Sequence, residues 1–423
     1  MGTNLDGITL LRYAHIYRDR TSGGAEQYVK QLNDGLLARN KMTILQMHLV
    51  SGDSARSTVE VEERGQGQIV WIPVSLHHEE RSVRSLPRRI RLLACRRTLA
   101  TTSTDKRSVY STILRVLGNS CGHFRYSAMI LSEVLVDLLD EYNVDLILLH
   151  WLSYDVGTLL SNATKRRIPY AIIHHFDNGR LSMASSRRWV GEAAALGGVS
   201  GRNVPPGIQD RYLNLSDAVD VEFFSPARAK PIARPKGFVV LLPSRIVAGK
   251  GHADVLVAAR SLLETGVNLS VVFAGLVESE SLVAELETSA SLLGLRDRVL
   301  FLGEVTSEGL RDWYAASDVV VLPSSSEGLG RVLLEAQAMG KPVIAYDSGG
   351  MPEAVVANKT GFLVQTGDRA ALAKRIEQLL DNPVERFVMG KSGRKFVMEH
   401  FSIPALVERH EQFYSKVISA KSQ

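Results

Sequence analysis

The chain holds only two cysteines, Cys95 and Cys121, in no metal-ligand or redox spacing, which excludes a disulfide framework and fits a reduced compartment. No apolar run approaches the roughly 18 to 20 residues that a membrane-spanning helix requires. The one early apolar stretch, bracketed by Asp6 and Arg12, is too short for a signal peptide, so a cytoplasmic location is expected. There is no internal repeat and no low-complexity tract. No Asp-x-Asp pair stands at an expected strand end, and the full G-x-G-x-x-G fingerprint of dinucleotide binders is missing. What remains is the composition of a globular protein, 45% hydrophobic and 22% charged over 423 residues. That length suits two domains of about 200 residues each, both able to bury a core.

The formal net charge of +5 is unevenly spread. Between Arg81 and Arg115 lie Arg84, Arg88, Arg89, Arg91, Arg96, Arg97, Lys106 and Arg107, against the single acid Asp105. Leu86, Ile90, Leu92, Leu93 and Leu99 interleave with them. The stretch reads equally as a basic amphipathic surface for anionic lipid or an anionic acceptor, or as a solvated insertion. Without interleaved aromatics it is a poor nucleic-acid footprint, and no nucleic-acid partner is expected.

Strand-like runs at Ile8–Leu11, Thr43–His48, Leu146–His150 and Tyr170–His174 alternate with amphipathic stretches such as Glu26–Arg39 and Ser127–Glu141. The segment from about 73 to 124 interrupts this rhythm and reads as an insertion. Pro226, Pro231 and Pro235 crowd a charged stretch that marks a linker at 226–236. Beyond it, strands are expected at Phe238–Pro243, Leu269–Ala274, Val299–Leu302, Val319–Leu322 and Pro342–Ala345. The matching helices are His252–Thr265, Ser279–Leu293, Ser307–Ala315 and Arg331–Met339. Such alternation predicts an α/β protein of two Rossmann-like, doubly wound parallel sheets facing across a cleft, with ligands at the carboxyl ends of the strands.

The most informative stretch is PSSSEGLGRVLLEAQAMGKPVIAYDSGGMPE, Pro323 to Glu353. Glycines after a strand and before a helix let a ligand approach the backbone, and the helix N-terminus favours a phosphate. Glu327 precedes that helix and Glu335 follows eight positions later. At about 1.5 Å rise per residue they stand on the order of 10–12 Å apart. That is wider than the roughly 5–9.5 Å of two carboxylates sharing one glycosidic bond. It suits two hydroxyl-bearing ends of one extended ligand, the shape of a nucleotide sugar. In PSRIVAGKG, Pro243–Gly251, Arg245 and Lys250 leave a strand end in a glycine-containing loop, placed to neutralise a departing diphosphate. A third loop, TSGG, puts Gly23 and Gly24 before a helix, by itself an ordinary turn.

Together GGAE near the start, the strand-end histidines, AVDVEFFSP at Ala218–Pro226, SRIVAGKG and EGLGRVLLEAQAMGKPVIA resemble the family 4 retaining glycosyltransferases. The resemblance implies the GT-B fold, with an acceptor-binding domain at 1–225 and a nucleotide-sugar-binding domain at 237–400. A closing helix at 401–423 would return to the first domain on a stripe of Val407, His410, Phe413 and Val417. Arg245 and Lys250 then bind the donor diphosphate, Glu327 contacts sugar hydroxyls and Glu335 holds the ribose. The backbone of Gly328, Leu329 and Gly330 lines sugar and phosphates, Gly23 and Gly24 approach them, and Val305 in GEVTSEGL meets the nucleobase. The family's strand-end histidine corresponds to His175, beside His174. His150, Trp151 and Tyr154 follow the preceding strand and, with His174, are assigned to the acceptor. The implied reaction is retaining and free of metal or other cofactor, a front-face displacement in glycan, polysaccharide or glycolipid biosynthesis. Its partners are a nucleotide-sugar donor and an acceptor glycan or lipid-linked sugar, to which the basic insertion, on its membrane reading, adds an anionic membrane surface contacted from the cytoplasmic side. Two other readings share the fold. A sugar-nucleotide epimerase or phosphorylase would need a further acid–base pair or a pyridoxal-binding lysine, and a non-catalytic sugar-nucleotide-binding partner would lack turnover.

Overall fold

A computed structural model describes residues 5–17, 24–50, 60–75, 136, 138–150, 156–175, 187–202, 204 and 207–419. Gly23, Trp151, Tyr154, both cysteines and the arginine-rich stretch from Arg81 to Arg115 lie outside the described residues. The chain divides into two compact units. One comprises residues 1–198, 204–215 and 407–423, the other 199–203 and 216–406. The division at 215/216 falls ahead of the proline-rich stretch at which the sequence reading placed the linker.

The first unit is built on β1 (Thr9–Tyr17), β2 (Thr43–Val50), β3 (Glu60–Arg64), β4 (Gly67–Ser75), β5 (Leu146–Leu149), β6 (Tyr170–His174), β7 (Ala195–Gly198) and β8 (Tyr212–Asn214). Their order in the sheet is β3-β4-β2-β1-β5-β6-β7-β8. Only β3 runs antiparallel, paired with β4 as a hairpin, while the other pairings are parallel. Helices α1 (Gly24–Arg39), α2 (Val156–Lys165) and α3 (Arg187–Glu192) connect the strands. Leu146–Leu149 is buried at all four positions, the pattern of a strand covered on both faces.

The second unit has β9 (Phe238–Pro243), β10 (Leu269–Ala274), β11 (Val299–Phe301), β12 (Val319–Leu322), β13 (Val343–Tyr346) and β14 (Gly361–Val364) in the order β11-β10-β9-β12-β13-β14, all parallel. Between them run α4 (His252–Glu264), α5 (Glu280–Leu292), α6 (Ser307–Ala316), α7 (Arg331–Ala338) and α8 (Met351–Ala354), followed by α9 (Arg369–Asp381) and α10 (Pro383–His400). The last helix, α11 (Ile403–Ser419), belongs to the first unit from Val407 on, and Val407, His410, Phe413 and Val417 are all buried.

Chain order reverses between β9 and β12: from β9 the chain steps to β10 and β11, then returns to the other side at β12. In an open parallel sheet this switch point leaves a crevice where the two outgoing loops diverge. The two loops concerned are SRIVAGKG and PSSSEGLG. Three helices of the unit away from the switch point carry side-chain caps, while those starting at Met351 and Pro383 do not. Ser279, Thr306 and Asp368 cap α5, α6 and α9 by accepting from first-turn N–H groups. At α4 and α7 the capping position is a left-handed glycine, Gly251 (φ 81°) and Gly330 (φ 81°), with no side-chain oxygen. Apart from Leu333 N, which donates to Gly330 O at 2.8 Å, the first-turn donors beside the switch point are left to a ligand or to water.

Candidate functional site

Backbone hydrogen bonds fasten the two switch-point loops together. Ser325 N donates to Gly249 O at 2.9 Å, and Ser324 Oγ lies 3.2 Å from the same carbonyl. A third loop, after β13, joins them: Ser348 Oγ donates to Ser325 O at 2.5 Å and Gly350 N to Glu327 O at 3.1 Å. That loop approaches so closely that only glycine fits. At Gly349 (φ 54°) a Cβ would stand 2.1 Å from the Glu327 carbonyl oxygen. Glu327 is therefore held by the backbone of a neighbouring loop as well as by its own.

Lys250 and Glu327 meet across the crevice, with Lys250 Nζ donating to Glu327 Oε1 at 2.5 Å and their side chains only 16% and 14% exposed. Arg245 is more exposed and forms an ion pair with Glu278, just before α5. Both cations of the expected diphosphate site thus have carboxylate partners. Leu329 is buried, so its contribution to a ligand is its backbone, and Gly328 is half-buried beside it. Val305 is half-buried against the core, one residue before the Thr306 cap of α6.

Glu335 lies inside, one helical turn beyond Arg331, and only 5% of it is exposed. Its Oε2 accepts from Tyr314 Oη at 2.9 Å and its Oε1 from Arg331 Nε at 3.2 Å. Arg331 in turn donates from Nη1 to Asp217 Oδ1 at 3.2 Å. Burial raises the Glu335 pKa, the Arg331 charge and the Tyr314 and Arg331 hydrogen bonds oppose that rise, and Asp217 adds to it. A carboxylate has about four acceptor positions, so two hydrogen bonds leave room for ligand hydroxyls.

In the first unit His150 follows β5 and His175 follows β6, their rings stacked with centroids 5.1 Å apart and Nδ1 of His150 2.8 Å from Nε2 of His175. Arg12, fully buried on β1, reaches His150 Nε2 from Nη1 at 3.3 Å and Tyr414 Oη from Nη2 at 3.3 Å. A guanidinium only donates, so His150 accepts at Nε2, carries its proton on Nδ1 and donates it to His175. The His175 proton then sits on Nδ1. Tyr28 and Tyr414 flank His410 with contacts of 2.5 and 2.8 Å. Burial is the first cause that drives all three histidines down, His175 to about 3, with Arg12 also contributing in each case. His175 is thus neutral near pH 7, a hydrogen-bond partner and not a proton acceptor from substrate. His174 ends β6 half-buried. Gly24 is the first residue of α1.

The structure therefore assembles Lys250 with Glu327, and Arg331 and Tyr314 with Glu335. Sequence reading missed Asp217, Glu278, Tyr314 and Arg331, and in the first unit Arg12, Tyr28, His410 and Tyr414 as one polar cluster. No local motif announces them, because partners such as Asp217 and Arg331 are 114 positions apart.

Residues 224–396 match the family described as glycosyl transferases group 1. The match lies within the second unit. Over 218 residues the chain is 34% identical to a Corynebacterium glutamicum protein named GDP-mannose-dependent monoacylated alpha-(1-6)-phosphatidylinositol monomannoside mannosyltransferase, covering 48% of this chain and 56% of that one. The chain spans about half the length of the curated relatives it matches. In fold, a glycosyltransferase from Rickettsia africae is similar over 97% of this chain and 98% of its own, with TM-score 0.68 and 17% identity. The HepE protein of Anabaena, crystallised with UDP, is similar over 96% of this chain and 99% of its own, with TM-score 0.66 and 17% identity. The chain thus has the two-sheet GT-B fold, and its residues 224–396 are similar to the group 1 glycosyl transferases.

Proposed function

We propose that this protein is a retaining, metal-independent glycosyltransferase that moves a sugar from a nucleoside-diphosphate sugar to an acceptor hydroxyl in glycan or glycolipid assembly. The observation that carries the reading is the pairing of Lys250 with Glu327 at the β9/β12 switch point, beside an uncapped helix whose next turn bears Glu335. Glu327 is assigned to sugar hydroxyls, Glu335 to the ribose, and the backbone at Gly328–Gly330 to sugar and phosphates. Val305 is assigned to the base. A GDP-sugar and a UDP-sugar are the two donors suggested by the names of the similar proteins. His175 and His150 are assigned to the sugar and acceptor side as neutral hydrogen-bonding groups.

The step balances without a metal. The acceptor oxygen bonds to the anomeric carbon on the face from which the diphosphate leaves, the bond from that carbon to the phosphate oxygen breaks, and a departing phosphate oxygen takes the acceptor proton. Arg245, Lys250 and the N–H groups at the start of α7 stabilise the charge that develops on the leaving group.

Titration calorimetry with UDP and with GDP, in EDTA and then in excess magnesium, tests the proposal. The expected result is equal affinity in both, with sugar transfer from the corresponding donor and retention of anomeric configuration in the product. Binding or turnover that appears only with magnesium would overturn the metal-free step, and an inverted product the retaining one.

A further inference from the structure

Most carboxylates that meet ligands in solvated clefts are free to turn, whereas Glu335 is enclosed and hydrogen-bonded from two sides. From α6, Tyr314 Oη holds Oε2 at 2.9 Å, and from its own helix Arg331 Nε holds Oε1 at 3.2 Å. The segment before Phe224 supplies Asp217, which holds Arg331 Nη1 at 3.2 Å. The Arg331 side chain is 10% exposed, that of Asp217 12% and that of Glu335 6%. A carboxylate taken out of water to this degree neutralises unless a compensating charge accompanies it. Arg331 is that charge, and Asp217 fixes where the guanidinium stands.

We propose that Arg331, anchored by Asp217, and Tyr314 are positioning residues that keep the Glu335 carboxylate charged and in one rotamer, ready to accept the ribose hydroxyls. This rests on the assignment of Glu335 to the ribose. Tyr314 chiefly sets the torsion of the carboxylate, and the Arg331 charge is the larger influence on its protonation, so the two have distinguishable effects. An anionic Glu335 accepts two hydroxyl hydrogens, while a protonated one must spend an oxygen as donor. Ribose recognition is therefore present above the Glu335 pKa and lost as pH falls through it. The groups facing Glu335 oppose one another. Arg331 and the Tyr314 hydrogen bond hold its pKa down, and burial and Asp217 push it up. Removing Arg331 moves the loss of recognition to higher pH.

The experiment measures, from about pH 5.5 to about pH 8.5, the affinity for UDP or GDP, whichever binds more tightly, against that for its 2′,3′-dideoxy form. The ratio cancels titration of the diphosphate itself and isolates the hydroxyl contacts. In the wild type the ratio should fall only toward the acid end. In Arg331→Gln the midpoint should rise by about one pH unit or more, a loss of about tenfold in ribose preference at pH values between the two midpoints. Arg331→Lys keeps the charge and should restore the wild-type midpoint, with a lower plateau because the forked geometry is lost. Tyr314→Phe should lower the plateau severalfold. Circular dichroism identifies variants that fail to fold, and Arg331→Lys then carries the test alone: a wild-type midpoint with a lower plateau supports the inference, and a raised midpoint despite the retained charge overturns it. A wild-type profile in folded Arg331→Gln overturns the inference. If Glu335→Gln retains the full ribose preference, the ribose assignment itself fails, a different outcome from the first.

Discussion

Glu327 occupies an unusual position for a residue assigned to the sugar, because it also holds Lys250, which is assigned to the diphosphate. The bond is 2.5 Å long between side chains 16% and 14% exposed, so it is neither diluted by solvent nor available to the phosphate while it lasts. A free nucleoside diphosphate must share or displace Glu327 to reach Lys250. Glu327→Gln turns an ion-paired hydrogen bond, in which both groups are charged, into one in which only Lys250 is charged, a weakening on the order of 1 kcal/mol. The difference, about 1 kcal/mol, releases Lys250 and should tighten the free nucleoside diphosphate by about fivefold. The same substitution removes a charged acceptor from the sugar and should lower turnover of the sugar donor by about ten- to a hundredfold. Lys250→Met should weaken both ligands and destabilise the fold, since it strands a largely buried carboxylate. Calorimetry with diphosphate and kinetics with sugar donor read the two effects independently. Equal losses of diphosphate affinity and donor turnover in Glu327→Gln would refute the exchange, and so would a lower melting temperature with both ligands unaffected.

Other parts of the molecule make claims of their own. Gly349→Ala combines a left-handed φ of 54° with a Cβ placed 2.1 Å from the Glu327 carbonyl oxygen. It should cost at least about 1–3 kcal/mol in a urea titration and weaken donor binding along with stability. His150, His175 and His410 are held below the ordinary histidine value of 6.5, so they take up protons only on unfolding. The unfolded chain then binds more protons from about pH 6.5 downward, and stability of the first unit falls with pH by about 1.4 kcal/mol per unit for each histidine. His410→Phe should remove one of these contributions, and an unchanged pH slope of unfolding would disprove the buried, neutral assignment. Reversing Arg88, Arg89, Arg96 and Arg97 to Glu should weaken salt-sensitive co-sedimentation with anionic vesicles and leave nucleotide affinity intact. Equal co-sedimentation of variant and wild type would remove the membrane partner.

The fold was legible where burial is uniform and local spacing is strict. Phe238–Pro243, Leu269–Ala274 and Val319–Leu322 are apolar but for Ser270 and became buried parallel strands with those bounds. Strands β3, β4, β7, β8 and β14 were not anticipated. β3 has the sequence EVEER, with Val61 exposed, and its place at the sheet edge is set by pairing with β4 more than by its own residues. β7 reads ALGG, too short and too glycine-rich to announce a strand, yet Gly198 is needed because a Cβ there would stand 2.8 Å from His174 O. Such strands are dictated by neighbours that a single sequence does not reveal.

The candidate site divides in the same way, and the division follows from what each residue must do. Arg245 with Lys250, and Glu327 with Glu335, stood out because each pair lies within one loop-to-helix turn at a strand end, although the two pairs are 77 positions apart. Their partners obey no such constraint. Tyr314 reaches Glu335 across 21 positions, and Arg331 reaches Asp217 across 114. A buried acid needs charge and hydrogen bonds from whichever element packs against it, and any of several elements can supply them. The ligand's shape therefore fixes the spacing of the residues assigned to meet it, whereas packing chooses those that hold them. Arg331 stands between the two classes, since α7 places it one turn before Glu335, where a salt bridge along the helix is geometrically available. What the sequence concealed was that Glu335 is buried, and burial changes Arg331 from a surface charge into the group on which the ionisation of Glu335 depends.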